Sequence, residues 1–316
     1  MIQKLYSYEN LCLLPGNRPS RHETRSKIST EVEFLGRRFA SPLMPANMEC
    51  TISFELAMEL SKENVFYILH RFYSYESILC FLENNQSLET LSISVGVNEV
   101  DRKFITELSE KNLRVDFITI DIAHGHSLLM RDMISHIRKK LPSTKIIAGN
   151  IGNCKAAQDL TYWGADALKV GIAQGKACTT YNVTGVMTPM YSVTEMISLT
   201  SPIPIIADGG IRQPGHVCLA MNAGATMVMA GSIFAACVDS PAEFNGSNTA
   251  KFYYGSASSH NHRKTNIEGR GLWLDCNYMS YIGLIDKYND GIRSCISYLD
   301  LQDLTELYRH PVYEIA

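Results

Sequence analysis

Short apolar runs recur along the chain, and each is followed by a polar or glycine break and then, in most cases, by an amphipathic segment. The runs are rich in Ile, Val, Leu and Met, and they cover 41–48, 65–71, 91–97, 117–123, 145–151, 167–172, 204–210 and 227–234. Continuous hydrophobicity, rather than alternation, is typical of strands buried on both faces of a parallel sheet. The pattern therefore predicts eight buried parallel strands.

The segments between these runs have helical periodicity and recognisable ends. Helices are predicted over 53–64, 126–141, 154–165 and 214–225, with Ser53 as an N-cap, Pro214 in a first turn, and Gly164 and Gly224 near the ends. Eight strand–helix units predict an α/β fold. The expected architecture is a (β/α)₈ TIM barrel that forms a single domain over 1–316. A doubly wound sheet is the alternative, but MPANMEC after the first run is not a GxGxxG turn.

Two stretches fall outside the repeating pattern. Residues 1–40 form a polar lead-in, and residues 241–282, after the eighth run, lack regular periodicity and carry several glycines. A long irregular segment after the last strand is expected to be a flap over the C-terminal face of the barrel. No linker divides the chain.

Composition and charge exclude several classes of protein. The 316 residues are 46% hydrophobic and 19% charged, and the net charge of −3 comes without a basic face, so a nucleic-acid polymer is not an expected partner. The longest apolar stretch, 227–238, is too short to span a membrane, and the N-terminus lacks a signal-peptide core. The nine dispersed cysteines predict reduced thiols in the cytoplasm.

The loop after the sixth run carries the strongest candidate for catalysis. Cys178 follows Gly171 and Gly175 in KVGIAQGKACTT and is surrounded by small and hydroxyl residues. A thiolate presented there is a strong nucleophile towards a bound substrate. The alternative is a buried cysteine that acts as a small hydrophobe, which fits the other eight cysteines better.

The seventh and eighth runs end in glycine turns of the kind that bind phosphate in this fold. Asp208 precedes Gly209 and Gly210, and Gly231 precedes Ser232. The Asp208 carboxylate would repel phosphate, so it is expected to accept hydrogen bonds from ribose hydroxyls. Ordinary turn chemistry is the alternative.

Other polar residues follow the second and fourth runs and lie in the flap. In DIAHGHS, Asp121, His124 and His126 suggest a cofactor-contacting loop in preference to a metal site, because further ligands are missing. Arg71 is expected either to face a cofactor phosphate or to be solvent-exposed. Glu268 is a candidate general acid or base, or a solvated flap carboxylate.

Together, seven motifs resemble the IMP dehydrogenase/GMP reductase family over almost the full chain. They are PANM (45–48), DIAHGHS (121–127), KVGIAQGKACTT (169–180), IADGGIR (206–212), MAGS (229–232), YYGSAS (253–258) and IEG (267–269). The chain is more similar to the reductases of the family than to its dehydrogenases. It lacks a regulatory insertion after the second run, its DIAHGHS and AGNIGN loops are of the reductase type, and its short flap has no adjacent Arg-Tyr pair.

The resemblance implies an NADPH-dependent, irreversible reductive deamination of GMP to IMP and ammonia, in purine nucleotide interconversion and salvage. It implies a thioimidate on Cys178, with Thr180 and Glu268 relaying protons. The substrate-binding residues that it implies are Asn47, Met48, Asp208, Gly210, Gly231, Ser232, Ser256 and Gly269. The dinucleotide would contact Arg71, Asp121 and Ala123. A K⁺ ion at the backbone of Gly175 and Cys178, and a cytoplasmic homotetramer, are further implications.

The chain departs from the family pattern at two places. GIAQG stands where the family usually has GIGPG, so Ala173 restricts φ next to the implied cation site, with Gln174 beside it. Thr265, next to Lys264, stands where a basic flap residue is usual. The alternatives are NAD-dependent oxidation of IMP and a nucleotide-binding barrel without catalysis. The missing Arg-Tyr pair disfavours the first, and the retained Cys178, Thr180 and Glu268 disfavour the second.

Overall fold

The computed structural model describes residues 3–261 and 267–315. The strands are β1 (Leu11–Leu13), β2 (Val32–Phe34), β3 (Arg37–Phe39), β4 (Leu43–Pro45), β5 (Ser92–Val95), β6 (Phe117–Asp121), β7 (Lys145–Ile151), β8 (Ala167–Val170), β9 (Ile205–Asp208), β10 (Met227–Ala230), β11 (Ala250–Tyr254), β12 (Gly271–Asp275) and β13 (Val312–Glu314). The α-helices are α1 (Phe54–Lys62), α2 (Tyr75–Asn84), α3 (Glu99–Glu110), α4 (Leu128–Lys140), α5 (Cys154–Trp163), α6 (Thr180–Thr184), α7 (Met190–Ser198), α8 (Pro214–Asn222), α9 (Ser232–Ala235) and α10 (Tyr281–Leu299). Short 3₁₀ turns cover Tyr8–Asn10, Arg25–Lys27, Ser259–Asn261 and Leu304–Leu307.

Seven strands form one parallel sheet in the order β4-β10-β9-β8-β7-β6-β5. Every neighbouring pair in it is parallel. All four residues of β5, of β8 and of β10 are buried, which explains why the runs are continuously apolar. The predicted α/β fold with a parallel sheet is confirmed.

The second predicted strand differs from the other seven. Residues 65–69 are buried, but Leu69 makes only an isolated parallel bridge to Ile93. Its N–H donates to the Ser92 carbonyl (3.1 Å), and its carbonyl accepts from Ser94 Oγ (2.6 Å). A continuous apolar run indicates that a segment is buried, but a buried segment need not form a continuous ladder of hydrogen bonds. The sequence therefore could not distinguish a paired strand from a buried extended segment. An eight-stranded closed barrel stays a prediction.

The predicted helix ends agree with the observed helices where a specific residue defines them. The Ser53 side chain accepts from Leu56 N–H at the start of α1, and Pro214 is the first residue of α8. Gly164 adopts φ 104° at the end of α5, a left-handed conformation that glycine favours. Within the described ranges, no helix is both long and apolar enough to cross a membrane.

The lead-in and the flap region are more regular than predicted. In the lead-in, β1 pairs with β13, so the two ends of the chain are joined. In the flap region, β11 and β12 form an antiparallel hairpin, in which Phe252 contacts Trp273 at 5.1 Å between ring centres. The sequence did not predict these two strands, because each has only five residues and a long segment separates them. Lys264 and Thr265 lie outside the described residues, and flap movement stays a prediction.

A buried lysine anchors the hairpin to the segment that precedes it in the chain. Lys251 in β11 is 2% exposed, and its Nζ donates to the carbonyls of Ala242 (2.8 Å) and Ser240 (3.0 Å). Phe244 lies under the same ammonium group, with 3.8 Å between Nζ and the ring centre. The hairpin is therefore held at its base by a satisfied, buried cation.

The buried segment 65–70 makes the stability depend on pH. Burial lowers the pKa of His70 to about 4 from an ordinary value of 6.5, so the unfolded chain binds a proton between these values and the folded chain does not. We expect the free energy of unfolding to fall by up to about 3 kcal/mol through this group as pH drops from 7 to 4. His70→Asn, which keeps an acceptor for Phe72 N–H, should lose this part of the pH dependence in urea unfolding. His310→Asn, at a partly exposed position, is the matched control, and an equal pH dependence in wild type and His70→Asn would contradict the assignment.

Candidate active site

A continuous chain of hydrogen bonds links the loop cysteine to the flap. Cys178 Sγ lies 3.3 Å from Thr180 Oγ1, to which it donates, and Thr180 Oγ1 donates to Glu268 Oε2 at 2.7 Å. All three residues are half-buried and face one cavity. The arrangement gives the thiol a path for its proton to a carboxylate.

Main-chain bonds hold Glu268 against the cysteine loop. Thr179 N–H donates to the Glu268 carbonyl (2.8 Å), Arg270 N–H donates to the Ala177 carbonyl (2.9 Å), and Cys178 forms an antiparallel bridge with Gly269. A Cβ on Gly269 would come within 2.9 Å of the Ser258 nitrogen. The glycine therefore permits the close approach that positions the carboxylate.

A buried cation lies at the centre of the strand ends. Lys169 in β8 is 3% exposed, and its Nζ lies 2.5 Å from Asp208 Oδ2, 2.9 Å from Asn150 Oδ1 and 3.3 Å from Asp121 Oδ1. Asn150 also donates to Asp208 (2.8 Å), and Asn47 donates to Asp121 (3.1 Å). The ends of β6, β7, β8 and β9 thus share one polar network.

Charge in this network outweighs desolvation. Burial lowers the pKa of Lys169, but the carboxylates of Asp121 and Asp208 raise it further, and the net shift is upward. The ammonium group therefore stays charged and keeps both carboxylates in place. Elsewhere in the cavity lining, burial raises the pKa of Tyr253, so its phenol stays neutral and donates to Met48 Sδ (3.8 Å).

Most of the sequence-predicted site residues line a single cavity with about 1080 Å³ of empty space, including its open mouth. Those that line it are Asn47, Met48, Arg71, Asp121, Ala123, Gly175, Cys178, Thr180, Asp208, Gly231, Ser256 and Glu268. The structure thus brings together residues from eight separate segments of the chain.

Three predicted residues lie beside this cavity and not in its lining. Gly269 pairs with Cys178, Ser232 is the first residue of α9, and the Gly210 carbonyl lies 3.1 Å from a ring nitrogen of His216. The two loop histidines also lie apart from it, and His126 Nε2 contacts Asp159 at 2.9 Å. Within residues 3–261 and 267–315, no group of three or more His, Cys, Asp or Glu side chains could hold a metal ion.

Sequence reasoning missed Lys169, Asn150 and Tyr253 as parts of the site. A lysine inside the otherwise apolar run ALKVGI was a usable signal, because a buried charge must be paired. Asn150 is likewise a polar residue inside an otherwise apolar run, KIIAGNI. Tyr253 carried no such signal, since aromatic residues are common in hairpin strands.

The loop before the cysteine is tightly constrained. Gly171 has φ 144°, and a Cβ there would lie 2.1 Å from the Asp208 carbonyl oxygen. Ala173 adopts φ 65°, a left-handed conformation that costs a non-glycine residue about 1 kcal/mol. The chain thus keeps a glycine-like backbone at a position where it carries alanine.

Comparison with known proteins identifies a family that matches almost the whole chain. A family model described as the IMP dehydrogenase / GMP reductase domain matches residues 5–311. The chain belongs to the IMP dehydrogenase/GMP reductase family. The resemblance that the seven motifs carried is thereby confirmed.

Curated relatives in the family are similar over nearly their full length. A protein named GMP reductase from Clostridium acetobutylicum is 40% identical, with 94% of this chain and 91% of that protein covered. A GMP reductase from Bacillus licheniformis is 38% identical (94% and 92% covered). A GMP reductase from Ligilactobacillus salivarius is 39% identical (96% and 94% covered).

The buried lysine gives a test of the polar network. Lys169→Met should lower the free energy of unfolding by about 3 kcal/mol, because Asp121 and Asp208 then face each other without a cation. Lys155→Met is the matched control, since Lys155 is 70% exposed and pairs with Asp159 at the surface, and it should change stability little. Urea unfolding measures both.

A second substitution separates charge from packing in that test. Adding Asp208→Asn to Lys169→Met removes one of the facing charges and should recover part of the lost stability. A double variant no more stable than Lys169→Met would show that the ammonium charge is not what the network requires.

Proposed function

We propose that this chain is a GMP reductase that catalyses NADPH-dependent reductive deamination of GMP to IMP and ammonia. The observation that carries the proposal is the chain of hydrogen bonds from Cys178 Sγ through Thr180 Oγ1 to Glu268 Oε2. This reaction needs a nucleophile at C2 and a proton for the departing nitrogen, and one relay supplies both. The names of the similar proteins support the same reaction.

In the first step, Cys178 attacks C2 of the purine. The thiol proton passes to Thr180 while the hydroxyl proton of Thr180 passes to Glu268. Glu268 then returns a proton through Thr180 to the C2 amino group. The C–N bond breaks, ammonia leaves, and a thioimidate links Cys178 to C2. The proton lost by the thiol equals the proton gained by the leaving nitrogen, so this step balances.

The strand ends would orient the nucleotide for this attack. Asp208 is held by Lys169 and Asn150 with its carboxylate in the cavity wall, which suits acceptance of hydrogen bonds from ribose hydroxyls. The substrate phosphate would lie near Gly210, Gly231 and Ser232. Asn47, Met48, Ser256 and Gly269 complete the proposed substrate contacts.

The residues present fit a nicotinamide cofactor in the same cavity. Arg71 lines it, and among the described residues its Nε is buried without a hydrogen-bond partner, so an anionic group could pair with it. Ala123 and Asp121 line the wall nearby. A bound NADPH would supply the hydride that C2 gains. The role of Cys178 would then be to leave C2 as a thiolate and to take up a proton.

A monovalent cation, the assembly and the compartment are part of the proposal. K⁺ would bind carbonyl oxygens of Gly175 and Cys178; the Gly175 carbonyl accepts from Cys178 N–H at 2.9 Å and keeps a second lone pair for a cation. A homotetramer is proposed from the family resemblance. All nine cysteines are free, which supports a reducing, cytoplasmic location.

One assay tests the reaction against its alternatives. Purified protein given GMP and NADPH should oxidise NADPH and release ammonia, followed at the nicotinamide absorbance band. IMP with NAD should give no sustained NADH formation. NADH formation from IMP would favour a dehydrogenase, and nucleotide binding without either reaction would favour a non-catalytic barrel.

Variants of the relay test the mechanism. Cys178→Ala should lower kcat by more than about a thousandfold, and Thr180→Val by about a hundredfold, because the first removes the nucleophile and the second interrupts proton transfer. Cys80→Ala, at an exposed position on α2, is the matched control and should keep full activity. A Cys178→Ala protein with wild-type kcat would rule out the thioimidate.

A further inference from the structure

Gln174, like Arg71, carries a buried hydrogen-bond donor in the cavity wall that no described residue satisfies. Gln174 lines the cavity, and its Nε2 is buried without a partner among the residues in 3–261 and 267–315. A buried amide without a partner is costly, and native proteins rarely keep one without a use. The donor therefore has no acceptor among the described residues, and a ligand in the cavity could provide one.

The backbone around Gln174 is shaped to hold it in this position. The preceding residue, Ala173, has φ 65°, so the chain accepts a strained conformation immediately before it. A Cβ on Gly209 would come within 2.9 Å of the Gln174 Cβ, and Gly209 has φ 102°. A side chain on Gly209 would displace Gln174, so the glycine turn and the glutamine are fitted to each other.

The neighbouring charges indicate which acceptor the amide meets. Gln174 lies against the turn after Asp208, beside the glycines at which the nucleotide phosphate is proposed to bind. Among the residues that the structure describes, the lysine and arginine residues lining the cavity are Arg71 and Lys169, and Lys169 is already paired with Asp121 and Asp208. Among the described residues, a phosphate at this end therefore meets mainly neutral donors, and the Gln174 amide is one that is free to serve.

We propose that Gln174 is a substrate-binding residue whose side-chain amide donates a hydrogen bond to a phosphate oxygen of the nucleotide. This inference rests on the proposed function for the identity of the nucleotide. It adds a side-chain donor to the backbone N–H groups of the glycine turns. It also explains how a loop with a strained alanine and a buried, unsatisfied amide is tolerated, since ligand binding satisfies the donor.

The test compares ligands with and without the phosphate. Dissociation constants for GMP and for guanosine would be measured by calorimetry or competition with wild type, Gln174→Met and Gln174→Glu. Gln174→Met should weaken GMP binding about tenfold and change guanosine binding less than about twofold. Gln174→Glu should weaken GMP binding further, because its carboxylate repels phosphate. Gln158→Met, at an exposed position on α5, is the matched control.

Thermal unfolding separates a binding role from a structural one. Without ligand, Gln174→Met should melt at or above the wild-type temperature, because the substitution removes an unsatisfied buried donor, while the rise in Tm caused by GMP should shrink. In steady-state assays KM for GMP should rise about tenfold with kcat within about twofold of wild type.

The outcomes that overturn the inference are distinct. Unchanged GMP affinity in Gln174→Met excludes the contact, and an equal loss for guanosine and GMP excludes the phosphate as its acceptor. A lower ligand-free Tm with unchanged ligand affinity would assign Gln174 a structural role. If wild type binds no GMP, the proposed function fails first and this inference fails with it.

Discussion

A single buried ammonium group determines how the strand ends meet in this protein. Lys169 contacts carboxylates from two other strands, Asp121 at the end of β6 and Asp208 at the end of β9, and Asn150 joins them from β7. Two carboxylates directed towards the same point repel each other unless a cation lies between them. The shape of the cavity floor, and the orientation of Asp208 towards a ligand, therefore depend on that one charge.

Main-chain hydrogen bonds between the hairpin and the cysteine loop bring the reacting groups together. The hairpin docks on the cysteine loop through main-chain bonds at Ala177, Thr179 and Arg270, and Lys251 anchors the base of the hairpin by donating to carbonyls. Because main-chain groups do the positioning, the side chains of the relay remain available for chemistry. Cys178 therefore lies between the polar network around Lys169 and the hairpin of β11 and β12.

The elements that the sequence predicted correctly are those whose burial leaves a local pattern of apolar residues. Seven of the apolar runs became neighbouring parallel strands, because burial on both faces leaves a local signature in the sequence. Residues 65–69 left the same signature but make only one bridge, at Leu69. The hairpin of β11 and β12 left almost none, because its strands are short, half-exposed and separated by a long turn.

The sequence alone determined the fold class, the family and the chemical nature of the site, because these depend on residue types in short motifs such as KVGIAQGKACTT and IADGGIR. Only the tertiary structure decided which groups are partners. The bond from Thr180 to Glu268 spans 88 positions, and that from Lys169 to Asp121 spans 48. It also decided that the Gln174 amide lies in a cavity wall, without a hydrogen-bond partner among the described residues. Motifs encode what a side chain can do, whereas the packing of distant segments fixes what it meets.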